Sequence, residues 1–253
     1  MDIRFSETPA MFGTLHFLIL AAVLFLSVIL VFVFREREEK TLIRGIGLMG
    51  IIMLLMEVWK QWFVAKYVYP DIRSMWYFPW QLCSMSMYVS ALVPVLRGKA
   101  QDTALVFLAT YGVIAAVFAL AVPADMMRPQ ILLFIHGFLY HAIMLAESIA
   151  ALFILRRRAP LQFLPATVLF LVMAVIAEII NVISPHIVGE NGLNANMFNI
   201  TPLYPSTQPV FHEIAVRFGI WPEIILYLGL IILGSFGLYL LVKRFTGRAG
   251  RSN

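Results

Sequence analysis

The chain has 253 residues, 61% of them apolar and only 13% charged, with a net charge of +5 and a mean hydropathy of +0.87. Soluble domains carry about 25% charged residues, so this composition excludes an ordinary soluble enzyme and predicts a membrane protein. The basic excess requires no nucleic-acid partner, because it is spread over loop edges that would face anionic lipid, and one cysteine allows no intrachain disulfide.

Seven runs reach roughly the 20 apolar residues that a spanning helix needs. In chain order they cover about 12–34, 42–64, 79–96, 103–122, 131–155, 161–183 and 221–242. They predict an all-α polytopic fold of seven transmembrane helices in a single domain over residues 1–253. Continuous rather than alternating apolarity argues against a β-barrel. The first run is too long for a cleavable leader and is followed by charge instead of a small-residue cleavage site. Arg35, Arg37, Lys40 and Arg44 follow the first run, and Arg97 and Lys99 the third. Arg156, Arg157 and Arg158 follow the fifth, and Lys243, Arg244, Arg248 and Arg251 the seventh. The positive-inside rule makes that side cytoplasmic, with the N-terminus outside and the C-terminus inside. One long connection, 184–220, then falls on the outer side and reads as a lid or binding element. Seven helices without an internal repeat do not divide into the inverted halves common in secondary transporters.

Ionisable residues inside a span cost a few kcal/mol and call for a partner or a task. At 1.5 Å per residue, His16 lies ~6 Å below the outer end of the first span, Glu57 ~10 Å below that of the second and Cys83 ~6 Å below that of the third. His136 and His141 are on the fifth span, Glu178 and Asn181 near the outer end of the sixth, and Glu147 is deepest. His136, Tyr140 and Glu147 share one helix face, since eleven residues make close to three turns. Polar groups gathered in the outer half predict a water-accessible cavity opening outward. Each has a plainer reading. Cys83 can be a packing residue, Glu57 an ion pair with Lys60 three residues on, and Gln81 and Asn181 bonds between helices. His16 can touch lipid headgroups, and Glu147 can sit protonated against a carbonyl.

A cysteine and a histidine on separate helices are what nucleophilic acyl transfer needs, the base taking the thiol proton and the thiolate the acyl group. No G-x-S-x-G, H-E-x-x-H or Walker-type loop is present. A last span without lysine excludes a retinal Schiff base there, and no His pair at i, i+4 supports a metal site, so neither metal nor cofactor is expected.

Four stretches carry a family resemblance: "MEVWKQW" in the second span, "FPWQLCSMSMY" opening the third, "VPADMMRPQILLFIHGFLYHAIM" around the fifth, and "NANMFNITP" before the last. In this order they resemble YwaF-like bacterial integral membrane proteins, which are related to eukaryotic transmembrane protein 164. The resemblance implies phospholipid acyltransferase activity in a bacterial plasma membrane. It implies Cys83 as the acyl-carrying residue and His141 as its base, with His136 as the second choice. Glu57 matches the family's carboxylate in the second span, and Asn194 and Asn196 its Asn-x-Asn in the outer loop. The chain departs from the family in three places. The proline lies four residues before Cys83, Gln81 stands where a histidine precedes Leu-Cys, and one extra residue precedes Pro202.

The combined expectation is acyl transfer or hydrolysis on membrane phospholipid from an outward-facing cavity. Cys83 is the nucleophile, His141 the base, and Glu57 or His136 the group orienting it. Gln81, Asn194, Asn196, His16, Glu178 and Asn181 line the substrate site. The rival expectation is a non-catalytic transporter or small-molecule receptor using the same pocket.

Overall fold

A computed structural model of the chain describes residues 3–158, 161–208 and 210–249. The backbone in these residues is helical wherever it is regular, and isolated bridges join Arg4 to Gln130 and Ser74 to Leu193. Apolar runs become helices because backbone in hydrocarbon has no water to bond and must satisfy itself. α1 is Thr14–Arg35 and α2 Glu39–Phe63, the latter prolonged by a π-helical turn, Val64–Val68. α3 is Leu82–Leu92. α4, Gly98–Phe107, runs through a second π-helical turn, Leu108–Gly112, into α5, Val113–Ala121. α6 is Ile131–Leu155, α7 Leu164–Val188, α8 Phe211–Phe218 and α9 Ile220–Ala249. Of the basic residues expected at the C-terminal edge, Arg251 lies outside the described residues.

Among the described residues, six helices are long and apolar enough to cross a bilayer: Thr14–Arg35, Glu39–Val68, Gly98–Ala121, Ile131–Leu155, Leu164–Val188 and Ile220–Arg244. The third expected span, 79–96, is helical only over the 11 residues of α3, about 16 Å at 1.5 Å per residue. Prolines bracket it. The chain enters α3 in extended form after Pro79, Gln81 having φ −74° and ψ 160°, and leaves by turns around Pro94, which has no N–H to continue the ladder. α7 instead outruns its expected end by five residues, carrying Pro185 in its last turn and stopping at Gly189, whose φ of 77° suits glycine.

α6 is the central helix, packed against α1, α2, α3, α4, α5 and α9. α1 is peripheral, with His16 its one buried residue. α2 and α3 touch nearly backbone to backbone. A side chain at Gly50 would run into Ala91 and Ser90, and one at Gly47 into Pro94, the small-residue packing that membrane helices favour.

The two ends of the bundle are tied separately. At one end Arg158 donates to Asp102 at 2.6 Å, to Gln101 at 2.9 Å and through Nε to Glu39 at 3.0 Å, so the starts of α2 and α4 meet the end of α6. At the other, the extended segment before α3 pairs with the loop after α7, Met75 N–H donating to the Leu193 carbonyl at 2.8 Å. That loop is a plug. Ala195, Met197, Phe198 and Ile200 are buried in the main core. Asn181 holds the Met197 N–H at 2.6 Å and its carbonyl at 3.1 Å. Gln81 does the same for the Asn196 carbonyl and the Phe198 N–H, both at 2.9 Å.

Candidate functional site

Cys83 lies in the first turn of α3, which no side chain caps. First-turn N–H groups lack helical acceptors, and of those in α3 the Ser84 N–H is taken by the Gln81 carbonyl at 2.8 Å. Cys83 is half-buried and packs on a buried cluster of Met53, Met87, Ala115, Ala116, Tyr140 and Met144. α3 brings the thiol to α6 because the Gly47 and Gly50 contacts fix α3 against α2, and α2 lies along α6.

On α6, His141 is 8% exposed. Its Nδ1 donates to the Gly137 carbonyl at 2.7 Å, one helical turn back, because a carbonyl can only accept. That bond leaves Nε2 to accept a proton, and Nε2 is buried without a hydrogen-bond partner. No thiol–imidazole hydrogen bond is therefore formed. His136 donates from Nε2 to the Met56 carbonyl at 3.1 Å and stacks between Trp59 and Tyr140. It also lines an open apolar groove of about 420 Å³ with Ile52, Leu55, Met56, Trp59, Leu132 and Ile135.

Glu57 is placed away from the base. Its carboxylate is held by Lys60 at 2.8 Å and by Gln61 at 2.6 Å, and Gln61 also donates to the Tyr77 carbonyl. A backbone carbonyl, not Glu57 or His136, thus orients His141. Lys60 and Arg128 flank the Tyr77 ring, 6.0 and 5.5 Å from its centroid. Burial pushes the Tyr77 phenol up to about 12, against the opposing pull of Arg128, so it stays neutral at physiological pH.

The expected substrate-binding residues divide. His16 Nδ1 accepts from the Phe12 N–H at 3.2 Å, within its own segment, and Nε2 donates to the Leu120 carbonyl at 2.8 Å, pinning α1 to α5. Gln81 and Asn181 bind the plug, and Asn196 Oδ1 accepts from the Thr201 N–H. By contrast Asn194 Oδ1, Asn196 Nδ2 and Glu178 Oε2 are buried without partners.

Glu147 is 0% exposed, and neither carboxyl oxygen has a hydrogen-bond partner. Ser90 stands beside it but donates to the Ser86 carbonyl at 2.6 Å. Two tyrosines also stand near the thiol, Tyr140, which shares its helix face with His136 and Glu147, and Tyr227. The Tyr140 hydroxyl is buried and unpartnered, within electrostatic reach of Cys83, Glu57 and Glu147. Tyr227 of α9 bonds Asn199 in the plug and also reaches Cys83. The available signal was "EIILY", which puts the buried Glu223 and Tyr227 four apart on one face of an apolar helix. Among the described residues, no three His, Cys, Asp or Glu side chains gather to hold a metal.

A sequence profile of the TMEM164 family matches residues 11–240. No curated protein and no solved structure matches the chain. The match spans nearly the whole chain, and the chain belongs to the TMEM164 family.

Proposed function

We propose, with membership of that family as the premise, that this multi-pass membrane protein transfers acyl groups on phospholipid through a Cys83 thioester, in a cavity open to the outer face of a bacterial plasma membrane. One observation carries the reading. The chain's one cysteine, a half-buried residue in an uncapped helix turn, packs on the cluster that contains Tyr140, while the next residue, His141, keeps a buried Nε2 ready to accept a proton.

In the proposed reaction His141 Nε2 takes the Cys83 proton and the sulfur attacks an ester carbonyl carbon. The ester carbon–oxygen bond breaks, and the leaving lysophospholipid oxygen takes the proton back from His141. The resulting thioester passes its acyl group to an acceptor hydroxyl or water. The apolar groove between α2 and α6 suits an acyl chain, and Met56 lines it while packing against the cluster below Cys83. Lys60 and Arg128 suit the phosphate, and Asn194, Asn196 and Glu178 supply unpartnered polar atoms for the headgroup. The chain forms one domain crossing seven times, α3 being the short third pass. The separate ties at the two ends support this, since α2 finishes by the plug while α4 starts by Arg158. The basic residues support an outside N-terminus and a cytoplasmic C-terminus.

The test is acyl exchange in vesicles containing purified protein and phospholipid labelled in one acyl chain. Cys83→Ser and His141→Ala should each abolish exchange while elution and melting profiles hold, and intact-protein mass spectrometry should find an acyl adduct on the native chain but not on Cys83→Ser. Unchanged turnover in both variants sinks the mechanism. A second reading, a transporter or receptor using the same pocket, draws on the missing thiol–imidazole bond and the deep Glu147. It predicts ligand binding that survives Cys83→Ala.

A further inference from the structure

We infer that Tyr140 is a catalytic residue of this site, its hydroxyl donating a hydrogen bond to the oxyanion formed when the Cys83 sulfur adds to an ester carbonyl. The inference rests on the acyl-transfer reading and goes beyond it, because neither composition nor the resemblance gives Tyr140 a role.

Tyr140 is 4% exposed. A hydroxyl buried that deeply is nearly always bonded, since leaving it unpaired costs roughly 1–3 kcal/mol. Here it has no partner, although its ring is packed on three sides, against His136 at 5.8 Å, against His141 at 5.7 Å and in the cluster with Met53, Met87 and Met144. The ring is therefore held in place while its polar end points at nothing permanent. A donor kept unpaired where an acceptor exists only during reaction stabilises the transition state without stabilising the ground state.

Position supports the assignment. Cys83 packs on the same cluster as Tyr140, and the two polar groups are within electrostatic reach of each other. Competing tyrosines are less free. Tyr88 donates to the Pro79 carbonyl at 2.9 Å, and Tyr227 is engaged by Asn199. Asn196, expected in the substrate site, has its side chain anchored in the plug, Oδ1 accepting from the Thr201 N–H and the backbone carbonyl from Gln81, with Nδ2 left unpartnered. The Cys83 N–H, in the uncapped first turn of α3, supplies the complementary donor, the Ser84 N–H being bonded to the Gln81 carbonyl. As the carbon–sulfur bond forms, the carbonyl π pair moves onto oxygen. The Tyr140 hydroxyl and a first-turn N–H stabilise that charge, and no proton leaves the phenol. When the ester carbon–oxygen bond breaks the pair returns, the proton on His141 leaves with the lysophospholipid, and the Tyr140 hydroxyl is again unpartnered.

The experiment is Tyr140→Phe in the vesicle assay, measured beside Cys83→Ala. Loss of one oxyanion donor lowers kcat by about 10²–10³, and KM for the lipid should stay within about twofold because the bond is absent in the ground state. The melting temperature should hold or rise, since the deleted hydroxyl has no partner to lose, whereas a structural role would lower it. Replacing Tyr140 with a more acidic fluorinated tyrosine should restore turnover. Native kcat in Tyr140→Phe with Cys83→Ala dead overturns the Tyr140 assignment alone. An equal fall in melting temperature and kcat overturns it in favour of packing. Turnover that survives both variants, or is absent from the native protein, overturns the acyl-transfer reading and this inference with it.

Discussion

Two sets of interior polar groups bond differently, although Asn194 Oδ1 and Asn196 Nδ2 leave the plug only partly satisfied. In the plug, Gln81, Asn181, Ser184 and Asn196 engage neighbouring backbone. Gln81 and Asn181 each bind one N–H and one carbonyl, and Ser184 accepts from the Ala195 N–H at 3.0 Å. Along α6, the Tyr140 hydroxyl, His141 Nε2 and both Glu147 oxygens have no partner. The first pattern is structural, because irregular backbone at membrane depth is tolerated only when neighbouring groups satisfy it. The second is what a site awaiting a ligand looks like, because buried unpaired groups persist only where another requirement keeps them. Polarity within a span therefore marks two different jobs, and the bonding partners separate them.

The contrast can be broken by substitution. Asn181→Leu strips the Met197 N–H and carbonyl of their partners, and at about 1–3 kcal/mol for each buried group it should destabilise the protein by roughly 2–6 kcal/mol. Thermal unfolding in detergent should show a large fall, with early proteolysis between residues 189 and 210; an unchanged melting curve would remove the plug's structural role. Gly50→Ala puts a methyl group into Ser90 and Ala91 and should cost about 1–3 kcal/mol by overpacking. It should also slow acyl exchange, because the same contact positions Cys83. Arg158→Ala removes half-exposed ion pairs to Glu39 and Asp102 and should cost about 1 kcal/mol or less at low salt, read as a melting shift that shrinks as salt is added. Glu147→Gln, at the unpartnered end of the contrast, should move stability by less than about 0.5 kcal/mol. A fall above 1 kcal/mol would reveal a bonded Glu147 and erase the distinction.

How far the sequence could be read depended on whether the signal was local. α6 matches its expected run, 131–155, at both ends, because a long apolar stretch between a proline-rich turn and three arginines has no other way to satisfy its backbone in lipid. The third run failed as a full helix. Apolar count is blind to Pro79 and Pro94, whose missing N–H groups shorten α3 to Leu82–Leu92. The loop at 184–220 was recognised as unusual, but not as a plug, since that depends on amides of two distant helices meeting it. His16, Gln81 and Asn181 stood out in the sequence as polar residues within apolar runs, and the structure buries His16 and Asn181 and half-buries Gln81. Their roles were not legible, because a side chain's partners lie up to 117 residues away.

The sequence by itself determined a helical membrane protein, its family and its single thiol, all consequences of hydrophobicity and residue identity along the chain. Tertiary structure alone decided which polar groups are satisfied. It turned His16 toward Leu120 and Asn181 toward the plug, and left the Tyr140 hydroxyl, His141 Nε2 and the Glu147 carboxyl unpaired. Hydrogen bonds between helices join residues far apart in sequence, and only packing brings such partners within 3 Å.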